Sequence, residues 1–260
     1  MHRRILVSLL ALGFVISFAV SCATTGRTRS TNPAAQFENA KKRYEARSYV
    51  EAAEQFKALL AQSPGSKYAE PATFFLGKCY FESREYPLAE LEFERIKRDF
   101  PRGNYAEEAA FMMGMCAYKE RRPAPYDQAS TEGAIALLEA YIGAYPEGTF
   151  VARAQQKLRE CQSILAQKLY LNGRLYLKLG DFLAARTCFE EVLDRYADFS
   201  WAERSLLGIA ESYEGERNWG KAQETYEDVA KKDKDAQVSS VAKERLKKIG
   251  NKAARAKGKG

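Results

Sequence analysis

Histidine is all but missing from this 260-residue chain, and its one copy is His2. Beyond that residue there is no imidazole, which removes histidine-activated nucleophiles and nearly all common zinc sites. Strand signals are missing too. With no credible strand, a Walker loop or a GxGxxG turn between strand and helix has nowhere to stand, and neither motif occurs. Carboxylates are plentiful, yet Glu90, Glu92 and Glu94 alternate with Leu91 and Phe93 around a helix and read as its wet face. The expectation is a protein that is not an enzyme and that takes no metal and no cofactor. A transglycosylase built on helical repeats is the enzyme class left to exclude.

The 46% hydrophobic and 29% charged composition suits a folded chain, not a disordered one. A formal charge of +7 looks like an argument for nucleic acid, but its location speaks against that. Residues 231–260 hold eleven Lys or Arg against three Asp or Glu, a net of +8, which leaves the first 230 residues at about −1. The basicity belongs to the tail. A solvated end is the plain reading, attraction to anionic lipid or cell-wall polymer is the sharper one, and nucleic acid is not an expected partner.

The N-terminal stretch sets the compartment. Arg3 and Arg4 precede sixteen mostly apolar residues, Ile5 to Val20, and the run breaks off at Ser21, Cys22 and the polar ATTG that follows. A membrane span needs about 20 apolar residues and a signal h-region roughly 7 to 15 behind a basic region, so the flanks are those of an export signal. The stretch resembles a bacterial lipobox, although Ala19 stands where Leu is usual and Ser21 where Gly or Ala is usual. Cys22 is therefore the expected lipid attachment site and the start of the mature chain. The other cysteines, Cys79, Cys116, Cys161 and Cys188, lie far apart inside helical apolar patterns and are expected to be buried and unpaired.

A repeat organises the remainder. Ala89, Phe93 and Pro101 are spaced by four and eight residues, as are Ala52, Phe56 and Pro64. Ala134, Leu138 and Pro146 keep the spacing without the aromatic, Ala185, Phe189 and Ala197 keep it without the proline, and Ala222 and Tyr226 begin a fifth copy. Twelve residues before the alanine stands a small residue, Ala40, Gly77, Gly173 or Ala210, while Gly114 in the third copy is displaced to twenty by the insertion RRPAPYDQ. Each unit reads as two antiparallel helices that approach closely at the small residues, with the large side chains filling the space beside the contact. Neither helix can bury its stripe alone, so such units stack. The unit resembles the tetratricopeptide repeat. The expected fold is all-α, a right-handed superhelix of about five such helix pairs with a C-terminal capping helix.

The boundaries that follow are a signal peptide at 1–21, a flexible linker at 22–32 and repeats one to three at 33–148. A long connecting helix or helix pair with repeats four and five takes 149–235, a capping helix 236–249 and a basic tail 250–260. Within the first helices, Phe37, Phe74 and Phe111 are each 37 residues apart, as are Tyr44, Phe81 and Tyr118. Seven residues separate the two rings of one helix, so they share a face, with Lys41, Lys78 and Met115 between them. Two readings are open. Either the rings and lysines line an inner groove for an extended peptide with apolar side chains and a terminal carboxylate, or the rings pack helix against neighbouring helix. In copies four and five the series fades to Tyr170, Leu177, Leu207 and Glu214.

From Pro33 to Val229 the chain resembles the BamD family, lipoproteins of the outer-membrane β-barrel assembly machinery. The resemblance is carried by the segment from YPEGTF through GRLYLKLGDFLAA to RYADF, and by Asp127 and Gln128 in the insertion. It implies lipid attachment to the outer membrane facing the periplasm, binding of unfolded barrel-protein C-terminal segments by the first repeats, and docking on the barrel-forming subunit by the last, with other assembly lipoproteins as partners. Ala197 and the basic tail depart from the pattern. The alternative is a periplasmic repeat adaptor of the CpoB type that coordinates cell-wall synthesis and envelope constriction, whose first helices are similar to those of copies two and three.

Overall fold

A computed structural model describes residues 32–232 and 235–257. The signal peptide, Cys22 and nearly all of the linker lie outside the described residues. Among the described residues the protein is an all-helical array. α1 (Pro33–Glu45) pairs with α2 (Tyr49–Gln62), α3 (Ala69–Glu82) with α4 (Tyr86–Asp99), and α5 (Ala106–Glu120) with α6 (Ala129–Ala144). α7 (Val151–Leu179) pairs with α8 (Phe182–Arg195) and α9 (Ser200–Gly215) with α10 (Trp219–Lys232), while α11 (Ala236–Lys257) lies on α10.

Local chemistry sets the ends. Asn32 caps α1 by accepting from the Ala34 N–H at 2.9 Å, with Pro33 in the first turn. α2, α4 and α6 stop two residues ahead of Pro64, Pro101 and Pro146, whose rings disfavour helical backbone in the residue before them. α8 stops at the same place without a proline, with Tyr196 buried at its C-cap. The stretch left open as one helix or two is one: α7 runs 29 residues and ends on Gly180 at φ 82°. There the Asp181 N–H reaches back to the Tyr176 carbonyl at 3.0 Å, a closure that left-handed glycine permits. α11 runs past the expected limit of the capping helix at residue 249 to Lys257.

Inside each repeat a ring of the second helix lies against a small residue of the first. A Cβ on Gly77 would sit 2.8 Å from the Phe93 ring, and one on Gly114 2.7 Å from Leu138. Phe189 is clasped from both sides, since a Cβ on Gly173 or on Gly208 of the next repeat would each come within 2.5 Å of it. Phe56, Phe93, Phe189 and Tyr226 are completely buried, as are Ala52, Ala89, Ala185 and Ala222 four residues before them. The small residues thus accommodate the ring itself rather than a bare backbone contact.

The insertion of the third repeat is folded around Gln128. Its buried side-chain amide donates to the Pro123 carbonyl at 3.0 Å and the Tyr126 carbonyl at 3.1 Å, and accepts from Thr131 at 2.7 Å. Lys168 of α7 donates to the Tyr126 carbonyl from outside at 2.8 Å, which ties the loop to the long helix. Cys79, Cys116 and Cys161 are free and buried, and burial pushes the Cys79 thiol up to about 12 and the Cys161 thiol to about 11. They serve as small apolar side chains.

The ring contact yields a test. Ala89→Leu adds bulk at a fully buried site and Gly173→Val forces a side chain into volume that Phe189 already fills, so each should lower stability by about 1–3 kcal/mol or more. Thermal unfolding monitored by circular dichroism measures this, and an unchanged melting curve would contradict the helix pairing described.

Candidate functional site

The first aromatic series belongs to the core, which corrects the groove reading for those residues. Phe37, Phe74 and Phe111 are 7%, 2% and 1% exposed. Each touches the ring of its own repeat and a ring at the start of the next. Phe37 lies 5.8 Å from Phe56 and 5.4 Å from Tyr68, and Phe74 lies 5.8 Å from Phe93 and 4.4 Å from Tyr105. Phe111 lies 5.6 Å from Tyr141 and 4.9 Å from Phe150. Tyr170 continues the chain of rings, 5.9 Å from Phe189 and 5.4 Å from Trp201. These rings join repeat to repeat.

Met115 and Tyr118 are also buried, for a different reason: α7 lies over them. Lys157 donates to the Tyr118 hydroxyl at 3.1 Å, Tyr118 donates to Glu160, and the Arg121 guanidinium stacks 3.6 Å from the Tyr118 ring. The third repeat therefore presents no open face at these positions.

What stays accessible is in repeats one and two. Lys41, Tyr44, Lys78 and Phe81 are each partly exposed. Lys41 lies 6.0 Å above the Phe75 ring and Lys78 5.6 Å above the Phe74 ring. Lys78 also pairs with Glu108 at 3.3 Å, so this lysine already has a carboxylate, which the sequence alone did not show. Tyr44 lies 5.3 Å from Phe75, and burial, with Glu82 and Glu108 nearby, pushes its hydroxyl up to about 12. Phe81 lies edge-on to Tyr86 at 5.4 Å. The face is amphipathic: half-covered rings, two cations held over ring faces, and carboxylates at the rim. A pair as exposed as Lys78 and Glu108 is worth about 0–1 kcal/mol, so an incoming carboxylate can compete for the ammonium.

Sequence reading missed the acidic members. Glu108 stands thirty residues beyond Lys78, and nothing in a 37-residue period brings them together. A cleft of about 490 Å³ lies elsewhere, between α6, α7 and α8, lined by Glu132, Glu139, Gln162, Arg195 and flanking apolar residues. It holds none of the residues of the open face. Among the described residues no group of three or more His, Cys, Asp or Glu is placed to hold a metal ion, and no helix is long and apolar enough to cross a membrane.

Comparison with known proteins gives a family. A family model described as YfiO, outer membrane lipoprotein, matches residues 29–231. The chain belongs to this family. The curated outer membrane protein assembly factor BamD of Caulobacter vibrioides is 36% identical to it over 87 residues, 34% of this chain and 28% of that relative. The match thus spans less than a third of the relative's length. Among solved structures, a tetratricopeptide repeat protein from Parabacteroides merdae aligns at 15% identity over 87% of this chain and 76% of its own, with a TM-score of 0.37. The TPR2AB domain of yeast Sti1 in complex with pHSP90 aligns at 15% identity over 85% and 98%, with a TM-score of 0.40.

The two aromatic series now predict different outcomes. Phe74→Ala empties a fully packed site and should lower stability by about 3–5 kcal/mol. Phe81→Ala, on the accessible face, should lower it by clearly less. Chemical denaturation of both variants decides between them, and equal losses would return Phe81 to the core.

Proposed function

We propose that this family member is a lipid-anchored scaffold of the β-barrel assembly machinery, tethered through Cys22 to the outer membrane and facing the periplasm. On this reading the open face of repeats one and two takes the C-terminal segments of unfolded barrel proteins. Lys41, Tyr44, Lys78 and Phe81 supply the contacts: the half-buried rings receive an aromatic terminal side chain, and the lysines receive the terminal carboxylate. The observation that carries the proposal is the asymmetry of the array. The same register positions are accessible in repeats one and two and roofed by α7 in the third.

The fourth repeat supports a separate docking role toward the barrel-forming subunit. Leu171, Leu175 and Leu179 fall four residues apart on one face of α7, at 36%, 54% and 70% exposure, and Leu183 at the start of α8 is 69% exposed. An aliphatic stripe of this kind, left uncovered, marks a protein contact.

Three experiments test the proposal. Cys22→Ala should shift the protein out of the outer-membrane fraction, and retention of the variant there would remove Cys22 as the anchor. Photo-crosslinkers at Lys41 and Phe81 should capture barrel precursors, while Leu175→Asp with Leu179→Asp should weaken co-purification of the barrel-forming subunit without lowering the melting temperature. Recovery of cell-wall synthesis proteins in place of assembly subunits would favour the CpoB-type adaptor instead.

A further inference from the structure

The turn between the two helices of a repeat carries an unusual residue. Arg47, Arg84 and Arg217 stand at φ 61°, 65° and 61°, in the left-handed region where the fourth repeat uses Gly180. Glycine is relaxed there and a branched-off side chain is not, so each arginine is held against a backbone penalty. All three are exposed, and none pairs with a carboxylate among the described residues. Arg121 falls at the same register in the third repeat. Its backbone is extended and its guanidinium is held against Tyr118, so one edge of the array carries an exposed turn arginine at three of its five turns.

The basic end of the chain emerges at that edge. α11 runs alongside α9 in the same direction, since Asp235 pairs with Arg204 at 3.8 Å and Arg245 with Glu214 at 3.5 Å. On it, the buried Ile249 comes at the level of the turn that holds Arg217. The helix then continues to Lys257, about 12 Å further. From Lys243 to the end the sequence has eight Lys or Arg against one Glu, and beyond Ile249 its apolar residues are only Ala and Gly. Glu45, Glu82, Glu85 and Glu120 stand beside the turn arginines, so the turns by themselves are close to neutral and the net positive charge of the edge comes from α11.

We infer that this edge is a contact surface for anionic phospholipid headgroups, with the projecting end of α11 as the main attractor and the turn arginines as further contacts. It rests on the reading that lipid on Cys22 holds the chain at a membrane. An acyl anchor and a polybasic segment reinforce one another, and together they would fix which edge of the array meets the bilayer. With no large apolar side chain at the end of α11, the attraction is electrostatic and salt-sensitive.

The test uses the chain from Ala23 onward, which contains every described helix and no lipid. It is sedimented with vesicles of phosphatidylcholine alone or with about 30% phosphatidylglycerol, an anionic fraction that gives each surface cation roughly a fivefold effect. The expected result is binding to the anionic vesicles only, weakened at high salt. Lys252→Gln, Arg255→Gln and Lys257→Gln together should weaken it by about tenfold or more. Arg47→Gly, Arg84→Gly and Arg217→Gly together should also weaken it while leaving the melting temperature unchanged or raised, because glycine relaxes those turns. Equal partition onto neutral vesicles, wild-type binding by either triple variant, or equal capture by heparin with no preference for vesicles would overturn the inference. No lipid is attached to this chain, so its vesicle binding and the fate of Cys22→Ala are read independently.

Discussion

Everything in this array depends on one ring per repeat being received by a small residue on the opposite helix. Phe93 against Gly77 and Phe189 between Gly173 and Gly208 leave no room for a methyl group, so the helices can come this close only with a small residue at these points. Close packing makes the constraint severe, because interiors have almost no free volume to absorb an added carbon. The third repeat keeps the constraint with a smaller filler. Leu138 takes the place of the ring and still contacts the Cβ position of Gly114 at 2.7 Å, and Tyr141 one turn later supplies the missing aromatic surface.

Joining the repeats requires a second device, and here the chain uses two compensated versions of one turn. After the second repeat, Glu70 accepts from the Tyr105 N–H at 2.8 Å and its carboxylate occupies the space beside Gly103. After the third, Glu107 accepts from the Thr149 N–H at 2.6 Å and sits against Gly148. After the fourth, the register position of the glutamate is Ala166 and that of the glycine is Phe199, and both belong to one apolar cluster. A carboxylate bonded to the backbone of a turn needs a glycine to make room, and an alanine in its place leaves space that a phenylalanine fills. Both changes have to occur together. This explains why a turn lacking both proline and glycine still holds the same course.

Much of this was legible in the sequence because it is periodic. The alanine, the ring four residues on and the small residue twelve before report a local contact repeated five times, and no long-range knowledge is needed to see it. The peptide face was less legible. Seven-residue spacing says that Phe37 and Tyr44 share a side of α1, but burial is decided by what lies opposite, and that is the first ring of the following helix. Tyr118 shows the limit most clearly. It is in register with Tyr44 and Phe81, yet Lys157 and Glu160 of the long helix close over it. Glu108 was hidden for a related reason, since it meets Lys78 across a repeat boundary at a separation that matches no multiple of the period.

The long helix explains why the two halves of the array differ. A helix of 29 residues spans about 43 Å, roughly twice a helix of fourteen, so α7 closes the third repeat with its first half and opens the fourth with its second. Ala154 and Cys161 belong to the core of repeats two and three, whereas Ala166 lies in a cluster of the fourth. Because one rigid element does both tasks, the third repeat cannot expose its inner face without displacing the fourth. Residues that would be groove positions in a regular array become packing positions, and α7 is left with a solvent side longer than its neighbours can cover. The aliphatic stripe of Leu171, Leu175 and Leu179 is that uncovered side. The covered tyrosine of repeat three and the bare leucines of repeat four are thus two consequences of a single helix being too long to belong to one repeat.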